Sequence, residues 1–413
     1  MVKRLFITLI ILSSAIANGQ NNTSSPYSYF GVGLPSFNGS AENRSMEGLS
    51  ISADSIHYNF QNPAALGKLQ LTTYTVGLTQ QMTTLKNDTD ESEKAKSTSF
   101  DYLAIAIPTG KFSFALGIRP RNSVGYRFQE STSSTFARFN GKGGLNNLFL
   151  ALGYPLYKGL NVGVEGGFHF GKIKSENSFY QDNVQYGTKE MNVASISGFQ
   201  FRVGLQYERE ITEKLRLESS ASYTPKASLT SKNERSIATS TINSGLVETI
   251  VDQRDITIPN TDFDLPEEWR VGVGISQFHK WMVGVEYQNI GKANYKNTTF
   301  TPDNVKFNAI NIYRVGGYFI PQYNDNNYLN RITYRAGIRY QDTGLNVNQH
   351  DIKEFGMSFG LGLPAGPYMS NFNLGVEYGN RGTTSGGLVK ENFVNIFIGL
   401  SFNDKWFNKR KFN

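Results

Sequence analysis

Downstream of about residue 70 the chain keeps a two-residue rhythm of apolar and polar side chains, and that rhythm limits the folds open to it. Trp281, Val283, Val285 and Tyr287 alternate with Met282, Gly284, Glu286 and Gln288. Phe199, Phe201, Val203, Leu205 and Tyr207 alternate in the same way with Gln200, Arg202, Gly204, Gln206 and Glu208. Ile332 to Gln341 and Phe372 to Gly379 repeat the pattern. Successive side chains of a strand point to opposite faces, so each segment has one apolar face and one face of glycine and ionised groups. A soluble sandwich shows the same alternation. Charge mixed with glycine, however, suits a wet, enclosed interior better than a crowded solvent face.

The segments number about fourteen: 70–82, 98–107, 111–120, 144–154, 160–173, 195–208, 214–224, 268–277, 281–290, 306–319, 331–342, 354–363, 371–379 and 392–402. Short connectors (Pro108–Gly110, Pro155–Gly159, Arg209–Glu213, Phe278–Lys280, Pro364–Ser370) interleave with long ones near 83–97, 121–143, 174–194, 225–267 and 291–305. An even strand number with short turns at one end and long loops at the other is the rhythm of a transmembrane β-barrel with both termini in the periplasm. The expected fold is therefore an all-β, antiparallel barrel of about fourteen strands. Two registers, near 98–107 and 306–319, alternate poorly, and Leu246 to Ile258 has the pattern to extend a strand beyond the membrane.

The start of the chain agrees with export. Lys3 and Arg4 precede an apolar run from Leu5 to Ile16, too short to span a bilayer comfortably, and small residues follow at Ala15, Ala17 and Gly19. Residues 1–19 read as a cleaved signal peptide. No other stretch reaches the ~18 apolar residues that a spanning helix needs, so a membrane location requires strands. The chain has no cysteine, which removes disulfides, thiolate metal sites and cysteine nucleophiles. A net charge of +7 is scattered, with no basic stripe of the kind nucleic acid needs, and anionic lipid headgroups are the simpler partner.

Residues 20–68 differ from the rest: they are rich in Asn, Ser and Gly and lack sustained alternation. They are expected to form an N-terminal plug or leader before the barrel (69–402), with a basic periplasmic tail at 403–413. Met46 to Ser55 is expected to form a short helix. Tyr27, Tyr29, Phe30, Phe37, Tyr58 and Phe60 argue against full disorder.

Three features resemble the FadL/OmpP1/TodX family of outer-membrane transporters for hydrophobic compounds. Asn62-Pro63-Ala64-Ala65-Leu66, preceded by Ser52-Ala53 and Tyr58, is similar to the family's Asn-Pro-Ala motif before the first strand. Leu265-Pro266 leading into Glu267-Glu268-Trp269-Arg270 is similar to its approach to a late strand pair, and the strand number matches. Ser25 to Gly33 and Asn403 to Phe407 resemble a subgroup from bacteria with type IX secretion. The resemblance implies diffusion of a long-chain fatty acid or aromatic hydrocarbon through a plugged lumen, with sideways release at a kinked third strand. Carried onto this chain, it assigns plug anchoring to Asn62, Pro63 and Ala64. It places a lateral gap near Pro120 to Gly125, although a strand-terminal proline alone also accounts for Pro120. Solute contacts are expected at Tyr58, Phe60, Phe393 and Phe397.

The lumen face is expected to carry Arg119, Glu165, His169, Arg202, Glu208, Arg216, Glu218, Arg270, Glu286, Arg335, Arg339 and Glu377, for which bracing ion ladders are the simplest role. Glu165 and His169 share a strand face but stand about 13 Å apart at ~3.3 Å per residue. No metal-ligand spacing, Gly-x-Ser-x-Gly elbow or nucleotide fingerprint stands out, so neither an enzyme nor a cofactor is expected. The rival to a conduit is an interaction barrel that docks secreted proteins or a type IX translocon at the cell surface, with the loops near 121–143 and 225–267 as its surface.

Overall fold

The computed structural model describes residues 23–406 apart from 90, 244, 296–303 and 366–369. The expected signal peptide and most of the expected basic tail lie outside the described residues. Fourteen strands form the wall: β1 (Thr72–Lys86), β2 (Ser92–Pro108), β3 (Ser113–Ser131), β4 (Thr135–Tyr157), β5 (Leu160–Gln181), β6 (Gly187–Glu210), β7 (Arg216–Thr224), β8 (Glu268–Gln277), β9 (Trp281–Ile290), β10 (Ile310–Phe319), β11 (Thr333–Val347), β12 (His350–Ala365), β13 (Ser370–Arg381) and β14 (Lys390–Asp404). Neighbours in this order pair antiparallel, and β14 returns to β1 in an unbroken register from Thr72↔Asp404 to Lys86↔Lys390, which closes the barrel. Each of the fourteen expected segments falls on one of these strands.

The wall is uneven in height. β8 and β9 are 10 residues long, whereas β4 and β6 have 23 and 24. At ~3.3 Å per residue the difference is about 45 Å of strand. The connectors expected near 121–143 and 174–194 are therefore mostly strand, because Val124 to Tyr126, Leu145, Ile173 and Ile196 share a second apolar core at the long-connector end. The region expected as a single long loop at 225–267 holds Ala227–Ile242, Glu248–Ile256 and Thr261–Leu265, all strands. The second of these lies within the expected extension.

Along β6 the side chains alternate between exposed Phe199, Phe201, Val203 and Leu205 and buried Gln200, Arg202 and Gln206. Phe199 is 66% exposed, Val283 56% and Phe359 53%. A contiguous apolar outer surface of this size is covered by something other than water. Lipid hydrocarbon fits a closed wall whose backbone groups are, over most of its circumference, paired strand to strand.

The interior departs from the wet lumen that the charged faces imply. Residues 23–71 run through it. Ser50 donates to Glu286 of β9 through its N–H (2.9 Å) and its hydroxyl (2.7 Å). Arg339 of β11 donates to Glu47 (3.0 Å), and Arg44 donates to Glu377 of β13 (2.9 Å). The only α-helix in this segment among the described residues is α1 (Ala41–Arg44), closed by a capping box between Ser40 and Asn43. The helix expected over Met46 to Ser55 does not form. Glu47 (φ 54°) and Gly48 (φ 86°) turn the chain out of α1, and Leu49 and Ile51 then bury, outside any helix or strand, in a cluster with Met282.

Candidate functional site

One stretch of the wall is incomplete. β2 pairs with β1 from Ser92 to Ala106, and β3 pairs with β4 along its whole length, but β2 and β3 pair with each other only from Leu103↔Ile118 to Pro108↔Ser113. Beyond Ile118 they part. Both strands carry an extra residue at this height. Asp101 is skipped between Tyr102↔Gly77 and Phe100↔Leu78, and Arg121 is skipped between Pro120↔Asn146 and Asn122↔Leu145. A bulge bends its strand and increases local twist. Pro120, lacking an N–H, removes a ladder donor at the same point. Two facing bulges and a proline open a seam.

The N-terminal segment lines this seam from inside. Leu34 and Pro35 pair with Ser123 and Asn122, and Ser36 donates to the Arg121 carbonyl at 2.9 Å. Gly125, farther along β3, donates its N–H to the Ser28 hydroxyl at 3.1 Å. Arg44 closes the inner side. Its guanidinium donates to Thr79 (2.7 Å), stands 3.7 Å from Asp101, and lies over the rings of Phe37 (5.0 Å) and Phe397 (5.3 Å).

A cavity of about 290 Å³ starts at the seam and crosses the lumen. Asp101, Pro120 and Arg121 line its seam end, and Phe37, Ile312 and Phe393 also border it. Arg121 projects along it with its nearest carboxylate, Glu268, 3.9 Å away. The lining mixes rings and aliphatic chains with ionised groups already committed to one another.

The expected site residues separate into two groups. Pro120 and Phe393 border the cavity; Gly125 does not. Tyr58 and Phe60 are packed away from it, at 3% and 1% exposure, in a cluster with Tyr102 and Phe149. There the Phe60 carbonyl accepts from Arg119 (2.5 Å) and Arg202 (3.2 Å), and Arg119 pairs with Glu165. Phe397 lies beneath Arg44.

Asn62, Pro63 and Ala64 sit at the other end of the segment. Asn62 caps the 3₁₀ turn Pro63–Lys68, accepting from the Ala64 N–H (3.0 Å), and donates to the Leu205 carbonyl of β6 (2.9 Å). Pro63 takes the first turn position, where its missing N–H costs nothing. The turn lies directly on inward glycines. A Cβ on Gly163 would stand 2.3 Å from the Pro63 carbonyl carbon, and one on Gly204 2.1 Å from Asn62 Oδ1.

Sequence reasoning missed Phe37, Arg44, Asp101 and Arg121. The signal for two of them was the poor alternation near 98–107 and the break at Pro120, each the trace of a bulge.

Solved structures share this architecture. The *Ralstonia pickettii* toluene transporter TbuX superposes with a TM-score of 0.60 at 16% identity, over 89% of this chain and 99% of TbuX. The *Pseudomonas putida* toluene transporter TodX gives 0.58 at 13% identity, over 90% and 100%. A *Pseudomonas aeruginosa* FadL homologue gives 0.57 at 11%, over 92% and 100%. At these identities the likeness is one of fold. No curated protein matches by sequence. The model of the BamG family matches residues 1–413, and the chain belongs to the BamG family.

Proposed function

We propose that this protein is an outer-membrane conduit for a small hydrophobic compound, exported through a cleaved signal peptide, in which residues 23–71 act as a plug. The compound occupies the cavity beside the plug and leaves sideways through the seam between β2 and β3, with Pro120 and the neighbouring bulges as the gate. The observation that carries this reading is that the cavity ends where the adjacent wall strands β2 and β3 lose their pairing. Its 290 Å³ is at the low end of the roughly 300–1,000 Å³ range of small-molecule sites, which favours a single-ring aromatic or short chain over a long one. The shared fold of the toluene transporters TbuX and TodX and of the FadL homologue supports the same reading.

The chain has no cysteine, so Asn122→Cys, on the cavity lining, creates a unique attachment point. In liposomes holding the purified barrel, coupling a bulky maleimide there is expected to cut toluene flux several-fold, with the uncoupled variant unaffected. Pro120→Val is expected to restore ladder pairing and lower flux to a smaller degree. Unchanged flux in both would remove the seam from the path.

A second reading, a barrel that docks other proteins, is supported by Glu248–Ile256. Among the described residues this strand pairs with Ala227–Ile242 alone and exposes Ile250 and Val251. Native mass spectrometry of the purified barrel separates the two: a retained small apolar molecule supports the conduit, a retained polypeptide the docking barrel.

A further inference from the structure

The outward face of the low wall carries four lysines at the long-connector end: Lys86 on β1, Lys94 and Lys96 on β2, and Lys390 on β14. All four are exposed. Their direction follows from the alternation. Lys86 is in phase with exposed Tyr74 and Leu78, Lys390 with exposed Ile396 and Ile398, and Lys94 and Lys96 are out of phase with buried Ser97. They stand where the apolar outer belt ends.

Lys86 and Lys390 are direct partners across the β1–β14 ladder. Like charges directly opposite one another in a sheet are destabilising. Lys94, whose partner is Thr84, lies diagonally from Lys86 at about 7–8 Å. Among the described residues no ion pair forms to any of the four, although Asp88, Glu91 and Glu93 are exposed in the adjoining turn and strand. Glu391 is turned inward onto Arg381 (3.1 Å), and Glu91 in the neighbouring turn accepts from Asn87 (3.0 Å).

The taller wall supplies a contrast. Lys142 and Lys174 are also direct cross-strand partners, but Glu176 stands 2.8 Å from Lys174. Lys353 on β12, next along the low rim, faces Asp342 across its ladder. Lysines on an open edge protect it from pairing with another chain, which accounts for Lys94 and Lys96 beside the seam. It does not account for Lys86 and Lys390, which lie on strands paired on both sides.

The geometry points to a binding site for the phosphate of an outer-leaflet phosphorylated glycolipid. Lys86 and Lys390 bracket the phosphate, Lys94 and Lys96 add charge, and the acyl chains lie on the apolar belt below. An anion at this position turns a repulsive pair into a bridged one. The site adjoins the seam, so the bound lipid forms one bank of the lateral opening. This inference rests on the outer-membrane placement proposed above and stands independently of what the barrel conducts.

The test uses the full mature barrel in detergent, examined by native mass spectrometry with a bisphosphorylated disaccharide lipid, the same lipid dephosphorylated, and inorganic phosphate as competitor. Wild type is expected to retain the phosphorylated lipid several-fold better than the dephosphorylated one. The double variant Lys86→Gln, Lys390→Gln is expected to lose that preference, and Lys142→Gln to keep it. Heat-modifiable gel migration confirms that each variant is folded. Equal retention of both lipids by wild type, or an unchanged preference in the double variant, overturns the site. Full displacement by millimolar inorganic phosphate overturns the lipid in favour of a free-anion site. Labelling of a Lys86→Cys variant by a membrane-impermeant maleimide on intact cells reports the placement separately, so a failed placement is told apart from a failed site.

Discussion

Asn62 to Leu66 and Leu34 to Pro35 are two ends of one segment that meet the same wall in different ways. At the short-turn end, backbone rests on backbone: Pro63 fills the space above Gly163, and Asn62 spans from its own turn to β6. At the seam, two residues of ladder pairing and a ring of charged contacts around Arg44 hold the chain. Close packing without side chains tolerates no added volume, whereas a two-residue strand is weakly held and easily exchanged. The segment is therefore built to stay fixed at its Asn-Pro-Ala end and to be adjustable where the wall is open.

The sharpest break comes from the ionic clasp. Glu377 accepts from Arg44 (2.9 Å), Arg339 (3.0 Å) and Asn395 (3.1 Å). Glu377→Ala leaves buried Arg44 and half-buried Arg339 each short of a partner, at a cost of about 3 kcal/mol because Asp101, Glu47 and Glu354 remain. It is expected to lower the urea midpoint of the folded barrel and to expose the seam end of the segment to protease. Gly163→Leu comes next, at about 1–3 kcal/mol for overpacking, and is expected to release the Asn62 end while leaving Leu34 protected. Asn62→Ala is milder, about 1 kcal/mol for a lost cap, together with the bond to Leu205. Limited proteolysis read by peptide mass distinguishes which end is freed. If Gly163→Leu released the seam end first, the assignment of fixed and adjustable ends would be reversed.

The barrel was legible because alternation is a property of each strand alone, and Trp281 to Gln288 shows its two faces without reference to any neighbour. The height of the β3–β6 wall was not. Its upper core joins Val32, Leu145, Ile196 and Leu229 from distant parts of the chain, and polar residues around them read as loop. The candidate site was half legible. Pro120 marked the seam, and Asn62-Pro63-Ala64 marked a special turn. Tyr58 and Phe60, expected as solute contacts, lie off the cavity, where Arg119 and Arg202 donate to the Phe60 carbonyl. Arg44 and Asp101 could not be paired in advance, because they meet only once a segment of no regular period is threaded through the barrel.

The smallest expected effect concerns His57, between the two ends. Its Nδ1 lies 2.5 Å from Asp54, and its Nε2 lies 3.4 Å from Glu42 and 3.2 Å from the Asn371 side chain of β13. Burial opposes charge on the ring, but the carboxylates of Asp54 and Glu42 outweigh both burial and the more distant Arg335 and raise its pKa above the ordinary 6.5. A group whose pKa is raised by folding stabilises the folded form when protonated, so the contribution is complete below pH 6.5 and is lost as pH rises through the raised value. Hydrogen exchange over Ser52 to Phe60 is therefore expected to quicken modestly as pH increases across that window, after correction for intrinsic rates. His57→Gln keeps a donor but cannot titrate, and is expected to flatten the profile. Because Asp54 is half-exposed and solvent screens the pair, the change is expected to remain local, with Asn62 to Leu66 still protected at every pH. Loss of protection at Asn62 together with His57 would show that the two ends are one cooperative unit and that the glycine-packed anchor is no stronger than the ionic one.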